Sequence, residues 1–436
     1  MEKLYDILLK NADYLTPEMT VAKADIALSD GKVAALLPAG SGVPAFRTVE
    51  SAHRLWMPGL VDGHIHTSQQ LLRGRLLDEK PVIWKRVNVP FECRLDPDSS
   101  RLSAQLAALE MIRCGTTGFV DAGGKYVEEF AQVYEASGLR GRLTCFTNDH
   151  APEPLRCGIS EGVEQLRRLR NSLTGRLRGY FSVTALTAAS RELFHDVFRT
   201  AAELGAPVEV HMNEYASEVT DFLEKYGQRP FVYLEQEGLL EGVTFVAPHC
   251  IFLSPEEMEI LRQRQVRVIH CPFSNCGKGV PDTPQLLSRG ISVGFGSDGA
   301  AHAGLDLFRE MRLFRGVLNA TRGVAAADSC VMPAKTLLSM ATRGGAAALE
   351  EPGLGYIVPG APADLIAIDT DQPHLWPSQN IVNTLVECAS GRDVTDMIVD
   401  GRPVMENRQI LTLDEEKIRW NARRLLEQQP HLARWP

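Results

Sequence analysis

The chain lacks any long uninterrupted run of apolar residues, and no segment approaches the roughly 20 residues that a membrane-spanning helix needs. It also lacks a cluster of lysine and arginine, and its formal net charge of −9 argues against a nucleic-acid surface. The first residues show no basic segment followed by an apolar core, so we expect no secretory signal. We therefore expect a cytoplasmic protein without a membrane or nucleic-acid partner.

Paired cysteines are absent as well. The nine cysteines are scattered and show no CxxC spacing, which predicts free thiols in a reducing compartment. The remaining composition, with 44% hydrophobic and 23% charged residues, is that of an ordinary globular protein. Because 436 residues exceed one ordinary compact core, the length favours a long barrel with a smaller second domain.

The middle of the chain alternates strand-like and helix-like segments. An apolar run ends at residue 66, and further strand-like segments lie at 116–122, 141–149, 177–186, 206–214, 243–250, 266–272 and 291–298. Helical patterns lie between them, for example at 254–265 and from Leu307 to Leu318. Eight such units predict an α/β fold, and their number favours a closed (β/α)8 TIM-type barrel.

The two ends of the chain have a different character. Residues 1–56 and 357–412 contain short strand-like pieces that Gly, Ser and Pro interrupt, and the second stretch carries a DG turn signal. We predict that both termini together build one small β-sandwich domain. Residues 57–356 would then form the barrel, and residues 413–436 a C-terminal helix.

Polar side chains gather at the predicted carboxyl ends of the barrel strands, where TIM barrels carry their active sites. His64 and His66 end the first strand on one face, because alternate residues of a strand point the same way. Later strand ends carry His211, Glu214, His249 and Asp298. A lone histidine at a strand end is usually structural, but this set at these places predicts a metal site with imidazole and carboxylate ligands.

The same motifs resemble those of the amidohydrolase superfamily. "PGLVDGHIH" (58–66), "HMNE" (211–214), "PHC" (248–250), "SNCGKG" (274–279) and "GSDGA" (296–300) are similar to its motifs in order along nearly the whole chain. The likeness is to the branch of metal-dependent heterocycle deaminases. That branch contains deaminases of methylthioadenosine, S-adenosylhomocysteine and guanine, together with the triazine hydrolases.

The resemblance implies a cofactor and a reaction. One divalent metal ion per chain, zinc or alternatively iron, would be held by His64, His66, His211 and Asp298. His249 would lie beside the metal-activated water, Asp298 would also accept its proton, and Glu214 would protonate a ring nitrogen. Hydroxide generated at the metal would then displace ammonia from an amino-substituted purine, pterin, pyrimidine or related ring.

Four further residues are candidates for substrate binding. Glu92 stands where the family carries a Glu that contacts substrate, although a solvated Glu at a helix start is the alternative. Thr184 and His302 replace a histidine and a small polar residue of the nucleoside deaminases. These replacements predict poor activity on thioether nucleosides and a preference for a free base, pterin or triazine-like ring. His270 ends the seventh strand, where it either faces the pocket or is structural.

Two other functions stay open at this stage. Within enzymes, the alternative is hydrolysis of chloride or alkylamine from a triazine-like ring. In another class, the alternative is a metal-free scaffold on the same fold, which is disfavoured because every ligand position is filled. A small heterocycle and water are the expected partners, and assembly into a homodimer or higher homo-oligomer stays open.

Overall fold

The computed structural model describes residues 4–76, 78–173 and 175–433. Within them, one nine-stranded parallel sheet comes from the middle of the chain and one nine-stranded mixed sheet from its two ends. The strands are β1 (Tyr5–Leu15), β2 (Val21–Ser29), β3 (Lys32–Leu37), β4 (Ala45–Glu50), β5 (Arg54–Pro58), β6 (Leu60–His66), β7 (Thr116–Asp121), β8 (Arg140–Thr147), β9 (Leu177–Ala185), β10 (Val208–His211), β11 (Phe245–Pro248), β12 (Arg267–His270), β13 (Ser292–Phe295), β14 (Asp298–Gly299), β15 (Leu365–Asp369), β16 (Val394–Val399), β17 (Arg402–Glu406) and β18 (Gln409–Ile410).

Helices connect the strands of the parallel sheet and end the chain. They are α1 (Val89–Glu92), α2 (Pro97–Cys114), α3 (Val127–Ser137), α4 (Ile159–Ser172), α5 (Arg191–Leu204), α6 (Ala216–Tyr226), α7 (Pro230–Gln236), α8 (Pro255–Gln263), α9 (Pro272–Asn275), α10 (Thr283–Ser288), α11 (Leu307–Leu318), α12 (Val324–Ala326), α13 (Ala334–Ser339), α14 (Gly345–Ala348), α15 (Ile381–Glu387), α16 (Glu415–Gln428) and α17 (Pro430–Ala433). Short 3-10 helices lie at Thr67–Leu72, Leu186–Ala188 and Gly391–Asp393, and π-helical turns at Trp84–Asn88, Asn319–Gly323 and Met340–Gly344.

The parallel sheet closes into an eight-stranded barrel. Strands β6 to β13 pair in chain order, each parallel to the next. The eighth strand is interrupted: β13 pairs with β12, whereas β14 pairs with β6 through Asp298 and Ile65. The predicted (β/α)8 barrel is thereby confirmed. The interruption also brings Asp298 next to the strand that carries the first two histidines.

Local sequence explains why these elements form. Ser254 caps α8 by accepting a hydrogen bond from the backbone N–H of Glu257 at 3.2 Å, and Pro255 starts the helix. The barrel interior is packed so closely that β6 needs a glycine. A Cβ on Gly63 would lie 2.4 Å from Cδ1 of Ile269 on β12.

The mixed sheet from the two termini forms a separate β domain, as the sequence predicted. It branches at β1, which pairs with β2 on one side and with β4 and β5 on the other. The domain has its own apolar core, which includes Leu9, Trp56 and Leu365. Strand β5 extends through Pro58, so Gly59 is the joint between the domain and the barrel, two residues past the predicted boundary. We keep the predicted division of the chain as a proposal, with α16 and α17 as its terminal helical segment.

The β domain packs against the amino ends of the barrel strands. Arg140, the first residue of β8, donates from Nε to Asp364 Oδ2 at 2.8 Å and from Nη2 to Oδ1 at 3.0 Å. Both side chains are buried, and Asp364 lies just before β15 of the β domain. This two-pronged contact therefore ties the two domains together at the end of the barrel opposite the histidines.

The described residues bear on two predicted absences, that of a membrane-spanning helix and that of disulfide bonds. Among the described residues, no helix is both long and apolar enough to cross a membrane. Cysteines at eight positions have free thiols: Cys93, Cys114, Cys157, Cys250, Cys271, Cys276, Cys330 and Cys388. The expectation of free thiols holds for these eight.

Candidate active site

Side chains from four strand ends converge at the carboxyl end of the barrel. Nε2 of His66 lies 3.2 Å from Nε2 of His211 and 3.2 Å from Oδ1 of Asp298. The same Asp298 oxygen lies 3.6 Å from Nε2 of His64. One ligand atom from each of His64, His211, His249 and Asp298 falls within 4.8 Å of the others. The structure thus brings together every residue that the sequence predicted as a metal ligand, and places His249 with them.

The chemistry of this cluster suits a divalent metal ion. Nε2 of His64 and Nε2 of His249 are buried and have no hydrogen-bond partner within the described part of the chain. Burial lowers the pKa of His64, but the carboxylates of Glu209 and Asp298 raise it to about 10, so the centre strongly stabilises positive charge. Buried imidazole nitrogens without partners, next to a carboxylate, are the donor set that zinc and similar ions prefer.

Glu209 lies behind the cluster and holds one of its histidines, a role that was not predicted from the sequence. One oxygen of its buried carboxylate bonds to Nδ1 of His64, and the other accepts a hydrogen bond from the Tyr180 hydroxyl. This contact at Nδ1 orients the ring so that Nε2 faces the centre, where a metal ion would replace the Nε2 proton. A signal was available, because a Glu interrupts the apolar run of β10 two residues before His211 and so shares its face.

A second supporting pair holds His249. Its Nδ1 lies 2.9 Å from Oδ1 of Asn275, and Nδ1 of His270 donates to the backbone carbonyl of His249 at 2.9 Å. The His270 ring packs against Phe314, with ring centroids 5.8 Å apart. The described residues that line the cavity do not include His270. This placement favours the structural alternative for His270 over contact with substrate.

The backbone is strained where it presents two of these side chains. His249 has a φ of 70° and Asp298 a φ of 58°, in the left-handed region that residues other than glycine seldom adopt. The buried carboxylate of Asp62 stabilises the second turn: it accepts hydrogen bonds from the backbone N–H of Ser297 at 3.0 Å and from its hydroxyl at 2.6 Å. Such strain concentrates at functional sites.

A cavity opens above the cluster. Counting its mouth, the empty space is about 800 Å³, which is enough for one heterocycle. Its apolar wall includes Ile83, Trp84, Val89, Phe146, Leu155 and Tyr215. The enclosure favours a flat, largely apolar ring that needs few but specific polar contacts.

Three of the predicted substrate-binding residues line this cavity: Glu92, Thr184 and His302. Glu92 accepts hydrogen bonds at Oε1 from the Ser68 hydroxyl at 2.7 Å and from Gln69 Nε2 at 3.2 Å. The Thr184 hydroxyl lies 3.4 Å from Asn148 Nδ2, and His302 Nε2 lies 3.5 Å from Asp298 Oδ2. Their positions agree with a role in substrate binding, which stays a prediction.

Glu214 also lines the cavity, and its partner was not foreseen. The Lys278 ammonium lies 2.5 Å from Glu214 Oε1 and 2.7 Å from the Ser274 hydroxyl, above the Tyr215 ring. Burial lowers the pKa of Lys278, but the charge of Glu214 raises it above its ordinary value, so the lysine stays charged. The segment 274–279 resembles a family motif, but the sequence alone predicted no role for its lysine.

The fold and the site together define a barrel enzyme whose centre is suited to a divalent metal ion. The profile of the amidohydrolase family matches residues 55–404. Over 426 residues, the chain is 35% identical to a 5-methylthioadenosine/S-adenosylhomocysteine deaminase of Haloarcula marismortui, with 96% of each chain covered. The chain belongs to the amidohydrolase family, and the resemblance inferred from its motifs is confirmed.

Two solved structures show the same architecture. A zinc-bound adenosine deaminase from Xanthomonas campestris matches with a TM-score of 0.91 at 28% identity, covering 98% of this chain and 99% of that one. An atrazine chlorohydrolase from Arthrobacter aurescens, complexed with zinc, matches with a TM-score of 0.87 at 21% identity, covering 96% and 100%. The second likeness shows the fold alone.

Proposed function

We propose that this chain is a metal-dependent deaminase that hydrolyses the C–N bond of an amino-substituted nitrogen heterocycle and releases ammonia. One observation carries the proposal: the ligand atoms of His64, His211, His249 and Asp298 converge beneath a cavity that Glu214 also lines. The deaminase names of the relatives support the same reaction. Zinc is our proposal for the ion, held by His64, His66, His211 and Asp298.

Each polar residue has a separate task in this reaction. When bound, the divalent ion lowers the pKa of a coordinated water towards 7 and so makes a nucleophile available at neutral pH. Asp298 accepts the proton of that water, and Nε2 of His249 stabilises charge that develops on the attacking oxygen. Glu214, whose Oε1 lies 3.8 Å from His249 Nε2, protonates the ring nitrogen next to the reacting carbon. That proton makes the carbon more electrophilic. Asp298 then passes the proton that it took from the water to the departing amino group, which leaves as ammonia.

The test is a substrate screen that follows two products at once. Purified protein, with its zinc and iron content measured, is incubated with amino-substituted purines, pterins, pyrimidines and triazines. We expect ammonia and the corresponding oxo product in equal amounts, and loss of both after chelation of the metal. Ammonia from none of these rings, with metal fully bound, would contradict deamination as the function.

The same screen separates the two alternatives. Release of chloride or alkylamine from triazines, without ammonia from any amino heterocycle, would favour the triazine hydrolase reaction instead. Purified protein that binds no divalent metal, even when metal is supplied, would favour a scaffold. Adenosine-type nucleosides belong in the screen because the 35% identical relative is named for two of them.

A further inference from the structure

Lys278 contacts Glu214 and also lines the cavity, where it can donate a hydrogen bond to a substrate. We propose that Lys278 is a specificity-determining residue: it selects heterocycles that carry a carbonyl group next to the ring nitrogen served by Glu214. This inference rests on the proposed deamination and narrows its substrate class. Examples of the class are isoguanine and cytosine, whereas adenine has only a C–H group at that position.

The hydrogen bonds of Lys278 leave one of its N–H donors for a ligand. An ammonium group has three N–H donors, and the structure occupies two of them, with Glu214 Oε1 at 2.5 Å and the Ser274 hydroxyl at 2.7 Å. Within the described part of the chain, Nζ has no third hydrogen-bond acceptor. Lys278 is nearly inaccessible to bulk water, with a side chain 6% exposed, yet it belongs to the cavity wall. The remaining donor is therefore available to a ligand in that cavity.

Lys278 and Glu214 together match one arrangement of substrate atoms. Lys278 engages Oε1 of Glu214, while Oε2 has no hydrogen bond among the described residues and is the oxygen left for a ring nitrogen. When Oε2 of Glu214 carries the proton that it transfers, it donates to the lone pair of a ring nitrogen, and the ammonium of Lys278 beside it donates to a carbonyl oxygen on the adjacent ring carbon. A ring with C–H in place of the carbonyl would leave a buried charged donor without an acceptor, which is costly.

The charge of Lys278 should also matter during the reaction. When the nucleophile attacks the amino-bearing carbon, electron density moves onto the adjacent ring nitrogen and, through it, onto a conjugated carbonyl oxygen. A fixed positive charge beside that oxygen stabilises the transition state more than the ground state. The effect should therefore appear in kcat/KM and not only in binding.

The experiment uses substrates that differ only in this carbonyl. The pairs are isoguanine with adenine, isoguanosine with adenosine, and cytosine with its analogue that lacks the carbonyl. With the metal-loaded enzyme, we expect kcat/KM to favour the carbonyl member of at least one pair by about 10²-fold or more. A preference for the member without the carbonyl in every pair that reacts would overturn the proposal.

Variants show whether Lys278 causes the preference. Lys278→Met should collapse the ratio of kcat/KM within a pair, whatever it does to the absolute rates, and Lys278→Arg should restore part of the ratio. Lys225→Met is the matched control, because Lys225 also lies over a tyrosine ring but is exposed on α6, outside the cavity wall. An unchanged ratio in folded Lys278→Met protein would overturn the proposal even if the wild type shows the preference.

A binding measurement separates this inference from the proposed function. Xanthine and hypoxanthine, the deamination products of isoguanine and adenine, differ by the same carbonyl, and calorimetry needs no turnover. Tighter binding of xanthine that disappears in Lys278→Met would support the role of Lys278 even if no ammonia were ever released. Ammonia release without any preference, together with equal binding of the two products, would overturn the role of Lys278 and leave deamination intact.

Discussion

The two ends of the barrel both bury charged groups, but they treat them differently. At the amino end, Arg140 and Asp364 satisfy each other through two parallel hydrogen bonds. At the carboxyl end, Nε2 of His64 and Nε2 of His249 are buried without hydrogen-bond partners within the described residues, and His249 lies in the left-handed region of the backbone. The Arg140–Asp364 pair is complete without a ligand, whereas the two imidazole nitrogens at the carboxyl end are suited to bind one.

This difference distinguishes residues that maintain the fold from residues that perform chemistry. A buried polar group without a partner costs free energy, and a folded chain retains it where a metal or substrate compensates. A buried pair that is fully satisfied keeps two domains in place. Mutations at the carboxyl end should therefore change metal binding and turnover, and mutations at the amino end should change stability. Substitutions at the two ends should separate these roles, and those at the carboxyl end should have the largest effects on turnover.

Asp298→Ala should have the largest effect. It removes a carboxylate that lies 3.2 Å from His66 Nε2 and 3.6 Å from His64 Nε2, so most bound metal and nearly all activity should disappear. His64→Ala and His211→Ala should lose metal and activity in the same way as Asp298→Ala. Elemental analysis and ammonia release measure the two effects together. An active Asp298→Ala protein with its full metal content would show that the ligand set is wrong.

Glu214→Gln should lower turnover without lowering the metal content. The amide keeps an oxygen for Lys278 but cannot donate a proton as a carboxylic acid does, so turnover should fall by about 10²-fold or more. Metal content should stay at the wild-type value because Glu214 is not among the proposed ligands. Steady-state kinetics and elemental analysis check both parts. Near-normal turnover on the preferred substrate would assign the proton transfer to another residue.

Glu209→Gln should have an intermediate effect. It weakens the support of His64 Nδ1, and loss of such a partner lowers metal affinity by about 10- to 100-fold. Titration with a competing chelator measures the affinity. The matched control is Glu350→Gln at the amino end, where the carboxylate pairs with Arg142 at 2.9 Å and the metal affinity should not change. Equal losses in both variants would remove the distinction between the two ends.

Arg140→Met should have the smallest effect on turnover and a clear effect on stability. It removes the charged partner of the buried Asp364 carboxylate, which keeps a hydrogen bond from the backbone N–H of Asp400, and the free energy of unfolding should fall by about 3–5 kcal/mol. The double variant Arg140→Met/Asp364→Leu should recover part of that loss. Denaturant unfolding and kcat measured on the folded protein check the two expectations. A large drop in kcat without loss of stability would place this pair in the reaction after all.

The sequence pointed to the proposed metal ligands because they lie at the ends of strands that can be recognised locally. His64 and His66 share a face by strand periodicity, and the carboxyl ends of parallel barrel strands always meet on one side, so the set of strand-end residues was recognisable although a single histidine was not. The supporting residues were missed because each acts through a partner far along the chain. Glu209 is 145 residues from His64, and Lys278 is 64 residues from Glu214.

The sequence by itself therefore determined the order of strands and helices, the barrel, the β domain from two termini and the residues at the strand ends. Those features follow from periodicity and from the rule that a parallel barrel gathers its strand ends. Only the tertiary structure decided which neighbour each buried group meets: Lys278 against Glu214, Glu209 against His64, and His270 behind His249 and outside the cavity wall. The physical reason is that hydrogen-bond partners in a packed interior are selected by distances of about 3 Å between strands and loops. The separation of two residues along the chain does not specify the distance between them in the folded protein.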